Sequence, residues 1–511
     1  MALFSPRLLN IQPRTYSKFS LCGGCYRKTQ LTSPSRFSLK VQPRRDIRLS
    51  SGIVEKARLF DSYEQDRTNS SSSSHSNLTT FARQLHRNKV KGGFFPELTS
   101  KSVAYWLLGS AASVFGIVVF GGLTRLTESG LSITEWRPVS GSLPPLCQAD
   151  WDSEFEKYRA SPEFKILNSQ MTLPEFKKIY YMEWGHRLWG RFVGITFVLP
   201  ATYFILSRKV SLPISLRLVS ISGLIGIQGF LGWYMVKSGL KDDLFTPGSH
   251  PRVSQYRLAA HLGTAFTCFT TMLWNGLAIL RTHALLSHPA RSHAHLSQLS
   301  SPVLSKFRKS VALLSLLIFT TALSGAFVAG LDAGLIYNQF PSMGDGLYPP
   351  KEELLDTFYS RKPDHSDLVW RNMLENPSTV QLDHRIMAIT TFCAVMSLWA
   401  YTRFNPRIRK NLPDAARKGM LSVVHLVLLQ VSLGISTLIY LVPTSIAAMH
   451  QAGALALLTG VTVLGSRVWI PKRTWNIVRS RLEGAAAMHT EKPCISRAAF
   501  KQIRAYNPPS L

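Results

Sequence analysis

The chain has 511 residues and a formal net charge of +30, with 45% hydrophobic but only 17% charged residues. Soluble proteins usually carry about 25% charged residues, so this composition argues against a soluble globular protein and favours a membrane protein. The Lys and Arg residues lie in short connections and near the N-terminus, not on one folded basic surface with aromatic residues, which argues against nucleic-acid binding.

The N-terminal segment has the composition of a targeting sequence. Residues 1–45 contain nine Lys or Arg, many Ser, and no Asp or Glu. This is typical of a mitochondrial or plastid transit peptide, and a basic disordered tail is the alternative. We expect a mitochondrial transit peptide in residues 1–60 and a flexible basic linker in residues 61–100.

Eight apolar segments are long enough to cross a bilayer, which takes roughly 20 helical residues. They lie at 102–123, 187–206, 214–236, 258–280, 311–330, 384–402, 419–441 and 444–466. Three of the connections are basic: 207–213, 281–310 and 403–418. Two long connections, 124–186 and 331–383, carry nine acidic residues each. The positive-inside rule therefore places both termini and the basic connections in the matrix, and the long acidic loops in the intermembrane space.

The second half of the chain repeats features of the first. Four pairs of segments match. GGLTRLTESGL, which begins at 121, matches AGLDAGL, which begins at 329, and EWGHR at 183–187 matches QLDHR at 381–385. IGIQGFLG at 225–232 matches VLLQVSLG at 427–434, and RLAAHLGTA at 257–265 matches IAAMHQAGA at 446–454. The sequence thus predicts an all-α integral membrane protein with eight transmembrane helices, arranged as two tandem four-helix bundle repeats. We place the repeats at 101–281 and 311–466, with a matrix loop at 282–310 between them and a basic matrix tail at 467–511.

Each half has a histidine at the start of its second span and another at the start of its fourth. These are His186 and His261, then His384 and His450. Two histidines from facing helices of a four-helix bundle can bind one haem iron from both sides. Structural, hydrogen-bonded histidines are the alternative, but ionisable groups within spans are costly and usually functional. We therefore predict two haem sites with these four histidines as axial iron ligands.

The residues around the histidines differ between the halves. Arg187 and Arg385 each follow a histidine, and they could bind haem propionates or extend to the membrane interface. Glu183 lies one helical turn before His186, whereas Gln381 occupies the matching place in the second half. A carboxylate at a haem edge can transfer a proton or attack a cation, and a glutamine can do neither. This predicts a chemically active first half and a second half that holds a haem.

Other metal sites are not indicated. The six cysteines are scattered and suggest neither a disulfide framework nor a zinc site. The histidines of one connection lie in a Ser-rich, irregular stretch that we interpret as a solvated matrix loop: His283, His288, His293 and His295.

These motifs in combination resemble the haem A synthases of mitochondria and many bacteria, over about residues 95–470. The residues that carry the resemblance are GGLTRLTESGLSITEWRPVSG, EWGHR, RLAAHLG, QLDHR and the MHQ of the last span. The resemblance implies an inner-membrane oxidoreductase of the hydroxylase or monooxygenase type. Such an enzyme oxidises the C8 methyl group of haem O to a formyl group by two successive hydroxylations, which gives haem A for cytochrome c oxidase.

The resemblance also implies a role for each half. The second half would hold a permanent haem b and the first would bind the substrate haem, with Glu183 as the essential catalytic carboxylate. The histidines implied are His384 and His450 for haem b, and His186 and His261 for the substrate haem. From their places next to these histidines, we add Arg385 to the haem b site and Arg187 to the substrate-haem site. Bacterial members often have cysteine pairs in the outer loops, but Cys147 is alone in the first long loop here, so a thiol-linked mechanism is not implied.

We expect haem O as the substrate, a matrix ferredoxin system as the electron donor, haem O synthase and cytochrome c oxidase assembly factors as partners, a homo-oligomer, and no nucleic acid. The alternative function is a b-type membrane electron carrier with two haems, which would not need Glu183 in one half only. A haem transporter built on a repeat is a further alternative, but it would place broken helices at mid-membrane rather than ligands near one face.

Overall fold

The computed structural model describes residues 94–138, 140–241, 244, 251–287, 289–469, 474–480 and 483. The predicted transit peptide, most of the predicted linker and the end of the predicted tail lie outside these residues. Within the described residues the chain is helical, and no strand is formed.

Eight long helices among the described residues correspond to the eight predicted spans. They are α1 (Lys101–Leu126), α2 (Leu173–Leu206), α3 (Leu212–Gly239), α4 (Gln255–Ser287), α5 (Val303–Gly330), α6 (Pro377–Phe404), α7 (Asp414–Ile439) and α8 (Thr444–Val468). Seven of them, all except α4, are long and apolar enough to cross a membrane. The all-α membrane architecture is therefore confirmed, with seven helices that meet the criteria for a span.

Polar side chains along the middle of α4 lower its hydropathy: Thr264, Thr267, Thr270, Thr271 and Asn275. Most of them bond within the helix. Thr264 donates from its hydroxyl to the carbonyl of Ala260 at 2.8 Å, and the Asn275 amide donates to the carbonyl of Thr271 at 2.7 Å. A hydroxyl that bonds back to its own helix satisfies its hydrogen-bonding capacity without an outside partner.

Each half of the helical region closes into a ring of four helices. In the first half α1 packs on α2, α2 on α3, α3 on α4, and α4 on α1. In the second half α5, α6, α7 and α8 have the same order of neighbours, with α8 packed on α5. The halves meet where α4 contacts α5 and α8 and where α8 contacts α1. One buried apolar cluster, which includes Leu107, Phe266 and Val461, runs through both halves.

The helix α2 begins at Leu173, well before the predicted start of the span at 187. Thr172 and Glu175 form a capping box, in which the Thr172 backbone N–H donates to Glu175 Oε2 at 2.8 Å. The added turns pack on two short helices of the first outer loop, Gln148–Arg159 and Pro162–Ile166. The contact is an aromatic cluster formed by Trp151, Phe155, Tyr158, Phe164, Phe176 and Tyr180.

The second outer loop also contains short helical elements. They are Ala333–Leu335, Lys351–Leu354, Thr357–Tyr359 and Leu368–Glu375. The helix α6 then begins at Pro377, seven residues before the predicted start at 384. Asn376 caps it by accepting a hydrogen bond on Oδ1 from the Ser378 backbone N–H at 3.0 Å.

The connection predicted as an irregular loop at 282–310 is largely helical, so that expectation was wrong. The helix α4 continues to Ser287, and a separate helix, Pro289–Ser300, follows it. Apolar side chains within this connection explain the difference, because Leu285 and Leu296 are buried together with Val478. Within the second helix Leu296 and Leu299 are both buried, and apolar burial at this spacing favours a helix over a solvated loop.

Candidate functional site

The second half brings His384 of α6 and His450 of α8 together. Their ring centroids lie 6.5 Å apart, and the ring planes are nearly perpendicular, at 89°. A metal–imidazole bond is about 2.0–2.1 Å long, so one metal ion between two imidazoles holds their centres about 6 Å apart. The spacing therefore fits a single haem iron bound from both sides.

Glycines on the neighbouring helices leave room for these two rings. A Cβ added at Gly325 of α5 would lie 3.2 Å from His384 Cε1, and one at Gly434 of α7 would lie 2.9 Å from His450 Cε1. The hydroxyl of Ser324 lies 2.7 Å from His384 Nδ1. The two imidazoles are thus packed closely against the backbone of a neighbouring helix.

In the first half, His186 of α2 and His261 of α4 also lie beside glycines. A Cβ at Gly121 would lie 2.8 Å from His186 Nε2, and one at Gly232 would lie 3.5 Å from His261 Cε1. Phe120 stacks on His186 with ring centroids 6.4 Å apart and planes 11° apart. This half therefore also presents two histidines on diagonally opposed helices.

A glutamine holds the backbone of the second histidine in each half. Gln228 donates from Nε2 to the carbonyl of His261 at 2.9 Å, and Gln430 donates in the same way to the carbonyl of His450 at 2.9 Å. These two glutamines are matching positions of the sequence repeat. The same hydrogen bond at matching positions shows that the alignment of the two halves reflects equivalent local geometry.

Glu183 is buried, and both of its carboxylate oxygens are hydrogen-bonded. Oε2 accepts from the Ser132 hydroxyl at 2.7 Å and from the Ile133 backbone N–H at 2.8 Å. Oε1 accepts from Arg187 Nε at 3.0 Å and Nη2 at 2.6 Å. The predicted catalytic carboxylate is therefore held rigidly, one turn before His186, and it also joins α2 to the first outer loop.

The two predicted propionate-binding arginines bind loop carbonyls. Arg187 donates to the carbonyls of Ile133 at 2.7 Å and Glu135 at 3.0 Å. Arg385 donates to three carbonyls at 2.9–3.0 Å, those of Tyr337, Gln339 and Ser342. Both arginines therefore fasten the loop that covers their histidine. A contact with propionates stays a prediction.

Gln381 takes part in the same fastening but with less complete bonding than Glu183. It is buried and donates from Nε2 to the carbonyl of Tyr337 at 2.9 Å. Its Oε1 is buried without a hydrogen-bond partner. The Glu183–Gln381 difference is thus a difference in charge and bonding at an otherwise equivalent position.

A second buried carboxyl lies in the first outer loop. Glu163 accepts a hydrogen bond from the Tyr158 hydroxyl at 3.0 Å and is 4% exposed. Burial raises the pKa of Glu163 to about 7, and the nearby carboxylates of Glu183 and Glu128 act in the same direction. This loop therefore contains a group that changes charge near neutral pH.

Other candidate metal ligands do not assemble. In the part of the chain that the structure describes, no group of three or more His, Cys, Asp or Glu side chains could hold a metal ion. His283 instead bonds through Nε2 to the carbonyl of Thr99 at 2.7 Å. Cys147, Cys268 and Cys393 are free thiols.

Two residues near the site escaped the sequence analysis. Ser132 lies within the quoted motif GGLTRLTESGLSITEWRPVSG, but nothing in the pattern connects it with Glu183. Ser324 lies in an apolar span, where serine is usually interpreted as a packing residue. No sequence pattern connects either serine with its partner, because both contacts depend on tertiary packing.

The fold and the site together define a class: a multi-spanning membrane protein whose two halves each present a pair of histidines, one pair spaced for a bound metal. Comparison with known families agrees with this class. The model of the COX15-CtaA family, described as "Cytochrome oxidase assembly protein", matches residues 104–462. The chain belongs to this family.

The curated relatives carry a more specific name. Heme A synthase COX15 of Saccharomyces cerevisiae is 52% identical over 378 residues, which is 73% of this chain and 76% of that protein. Heme A synthase COX15 of Homo sapiens is 47% identical over 360 residues, 70% and 80% of the two chains. The heme A synthase-mitochondrial ferredoxin fusion protein of Schizosaccharomyces pombe is 50% identical over 397 residues, 76% of this chain, and the match spans 64% of the fusion protein.

Proposed function

We propose that the chain is a haem A synthase of the mitochondrial inner membrane, which oxidises the C8 methyl group of haem O to the formyl group of haem A. The observation that carries the proposal is the contrast between the halves. Both have a pair of histidines on diagonally opposed helices, but only the first has a buried carboxylate, Glu183, one turn before a histidine. The names of the curated relatives support the same activity.

The test is expression in a host that makes haem O but not haem A, followed by chromatography of the extracted haems. We expect haem A to appear only when the chain is present. A b-type electron carrier would leave haem O unchanged, so the same chromatogram separates the two functions.

We further propose eight membrane spans in two tandem four-helix units. The support is the identical order of helix neighbours in the two halves and the matching Gln228 and Gln430 bonds. Thr264, Thr267 and Asn275 of α4 bond within the helix, which lowers the cost of inserting these polar residues. With the basic connections in the matrix, the two long acidic loops face the intermembrane space.

His384 and His450 would hold the resident haem b through their imidazole nitrogens. When bound, this haem would supply one-electron redox chemistry. Arg385 and Gln381 fix the outer loop beside this pair through the carbonyl of Tyr337.

His186 and His261 would bind the substrate haem in the first half. Glu183 supplies a fixed negative charge there, which is strongest in a dry site because little water screens it. Ser132 and Arg187 set the direction of its carboxylate. We assign to Glu183 the stabilisation of positive charge, or the acceptance of a proton, at the methyl carbon that is oxidised.

For the electron donor we propose a ferredoxin. The support is the Schizosaccharomyces pombe relative, whose name describes a fusion with a mitochondrial ferredoxin. Haem O synthase, assembly factors and a homo-oligomer stay predictions.

A further inference from the structure

We propose that Ser324 is a positioning residue that fixes the proton of His384 on Nδ1 and thereby fixes the orientation of this imidazole. The proposal rests on the proposed function in one respect, the assignment of a haem to each half. It concerns a residue of α5 that is neither an iron ligand nor part of the outer loops.

The direction of the Ser324 hydrogen bond follows from its two partners. Ser324 Oγ lies 2.7 Å from the carbonyl oxygen of Thr321 and 2.7 Å from His384 Nδ1. A hydroxyl has one proton, and a carbonyl oxygen can only accept. The Ser324 proton therefore goes to Thr321, and Ser324 Oγ accepts a hydrogen bond from His384 Nδ1–H.

With the proton on Nδ1, Nε2 is the nitrogen with the free lone pair. A hydrogen bond of this type fixes the ring orientation and raises the basicity of a metal-bound histidine.

A serine that bonds back to its own helix is common, and by itself it means little. Ser315, on the same helix, shows the ordinary case, since its hydroxyl donates to the carbonyl of Val311 at 2.8 Å and contacts no ring. Ser324 differs because its second hydrogen-bonding position is used by the side chain of a candidate ligand. The two serines are thus a natural test and control pair.

The first half cannot form the equivalent bond. Ser324 lies six residues before Gly330, and the residue six before the matching Gly122 is Gly116. A Cβ at Gly116 would lie 2.6 Å from the ring of Trp189, so a serine does not fit there. Trp189 occupies the space that a hydroxyl would need.

His186 is instead stacked by Phe120, with the ring planes 11° apart. In the second half, Nδ1 of His450 is buried without a hydrogen-bond partner, so Ser324 fixes one of the two imidazoles of that pair.

The test uses the full-length protein purified with its haem, as wild type, Ser324→Ala, Ser324→Thr and Ser315→Ala. Haem b retention is measured as the rate of transfer to excess apomyoglobin. The midpoint potential and the low-spin electron paramagnetic resonance spectrum are measured on the same samples. None of these readouts requires turnover of haem O.

We expect Ser324→Ala to weaken haem b binding by about 10- to 100-fold, the usual effect of losing such a partner. Its midpoint potential should rise, because a less basic ligand stabilises the oxidised iron less. Ser324→Thr keeps the hydroxyl and should retain the wild-type potential and haem release, and Ser315→Ala should match the wild type. Unchanged retention and potential in Ser324→Ala, or a threonine variant no better than the alanine variant, would overturn the proposal.

Haem A production by the wild type is a separate measurement, and it tests the proposed function. A wild-type protein that binds haem b in a Ser324-dependent way but makes no haem A would refute the proposed function alone. A wild-type protein that makes haem A but carries no haem b would overturn the inference on Ser324 alone.

Discussion

Replacing Glu183 by glutamine tests the carboxylate that distinguishes the two halves. The substitution keeps the shape of the side chain but removes its negative charge and one acceptor oxygen. The remaining oxygen can keep the bonds from Ser132 and Ile133 only if the amide nitrogen faces Arg187. Two donors then face each other, so both bonds to Arg187 are lost.

The structural cost can be worked out from those bonds. Hydrogen bonds to charged groups contribute about 1.5–3 kcal/mol each, so losing two costs about 3–6 kcal/mol. The Arg187 side chain is 20% exposed and keeps its bonds to the carbonyls of Ile133 and Glu135. We therefore expect a loss of stability at the lower end of this range, about 3 kcal/mol. This loss should be confined to the first outer loop.

The chemical cost should be larger. Losing a positioned group that transfers a proton or stabilises charge typically lowers a rate by about 100-fold or more. We predict that Glu183→Gln lowers the haem A output at least about 100-fold, with haem O accumulating and haem b unchanged. Chromatography of extracted haems measures the first two, and the reduced-minus-oxidised spectrum measures the third.

Two controls separate chemistry from loop attachment. Glu175→Gln removes a carboxylate from the exposed start of the same helix, and it should leave haem A output unchanged. Ser132→Ala removes one hydrogen bond to Glu183 but keeps the charge, so its effect should be small. Near-normal haem A production by Glu183→Gln would refute the catalytic role, and an equally severe loss in Ser132→Ala would reduce Glu183 to a loop anchor.

Three further predictions concern other parts of the molecule. Gln381→Glu should not raise haem A output per protein, because that half holds the resident haem; a clear increase would contradict the division of roles. The raised pKa of Glu163 means that the folded loop binds this proton more tightly than the unfolded loop, so its contribution to stability is complete below about pH 4.5 and is lost as the pH rises through about 7. The loop should therefore be cleaved by protease faster at pH 8 than at pH 6, and Glu163→Gln should reduce that difference; an unchanged difference would exclude Glu163 as its source. Protease added to mitoplasts should cut within 124–186 and 331–383 before 281–310, and the reverse order would invert the topology.

The sequence predicted the helical spans well because their signal is local. Each span is a run of apolar residues, and hydropathy along the chain is sufficient to find it. Helix starts were less accurate, since α2 and α6 begin outside the apolar runs at Leu173 and Pro377. The capping residues Thr172 and Asn376 mark these starts, but a reading of hydropathy alone does not use them.

For the candidate site, the sequence predicted that His384 and His450 lie together, and the structure places their ring centroids 6.5 Å apart. Their role as iron ligands stays a prediction. The partners of Arg187 and Arg385 could not be predicted, because the carbonyls they bind depend on the path of the outer loops. The contact of Ser324 with His384 could not be predicted either, because it depends on which face of α5 packs against α6.

The most direct test of the account is the haem composition of purified protein in which the histidine pairs are replaced separately by alanine. The account predicts that His384→Ala or His450→Ala removes the low-spin haem b signal while the protein still inserts. It predicts that His186→Ala or His261→Ala keeps haem b but abolishes haem A. Loss of haem b from the first-half variants together with unchanged haem b in the second-half variants would contradict the assignment of the two sites.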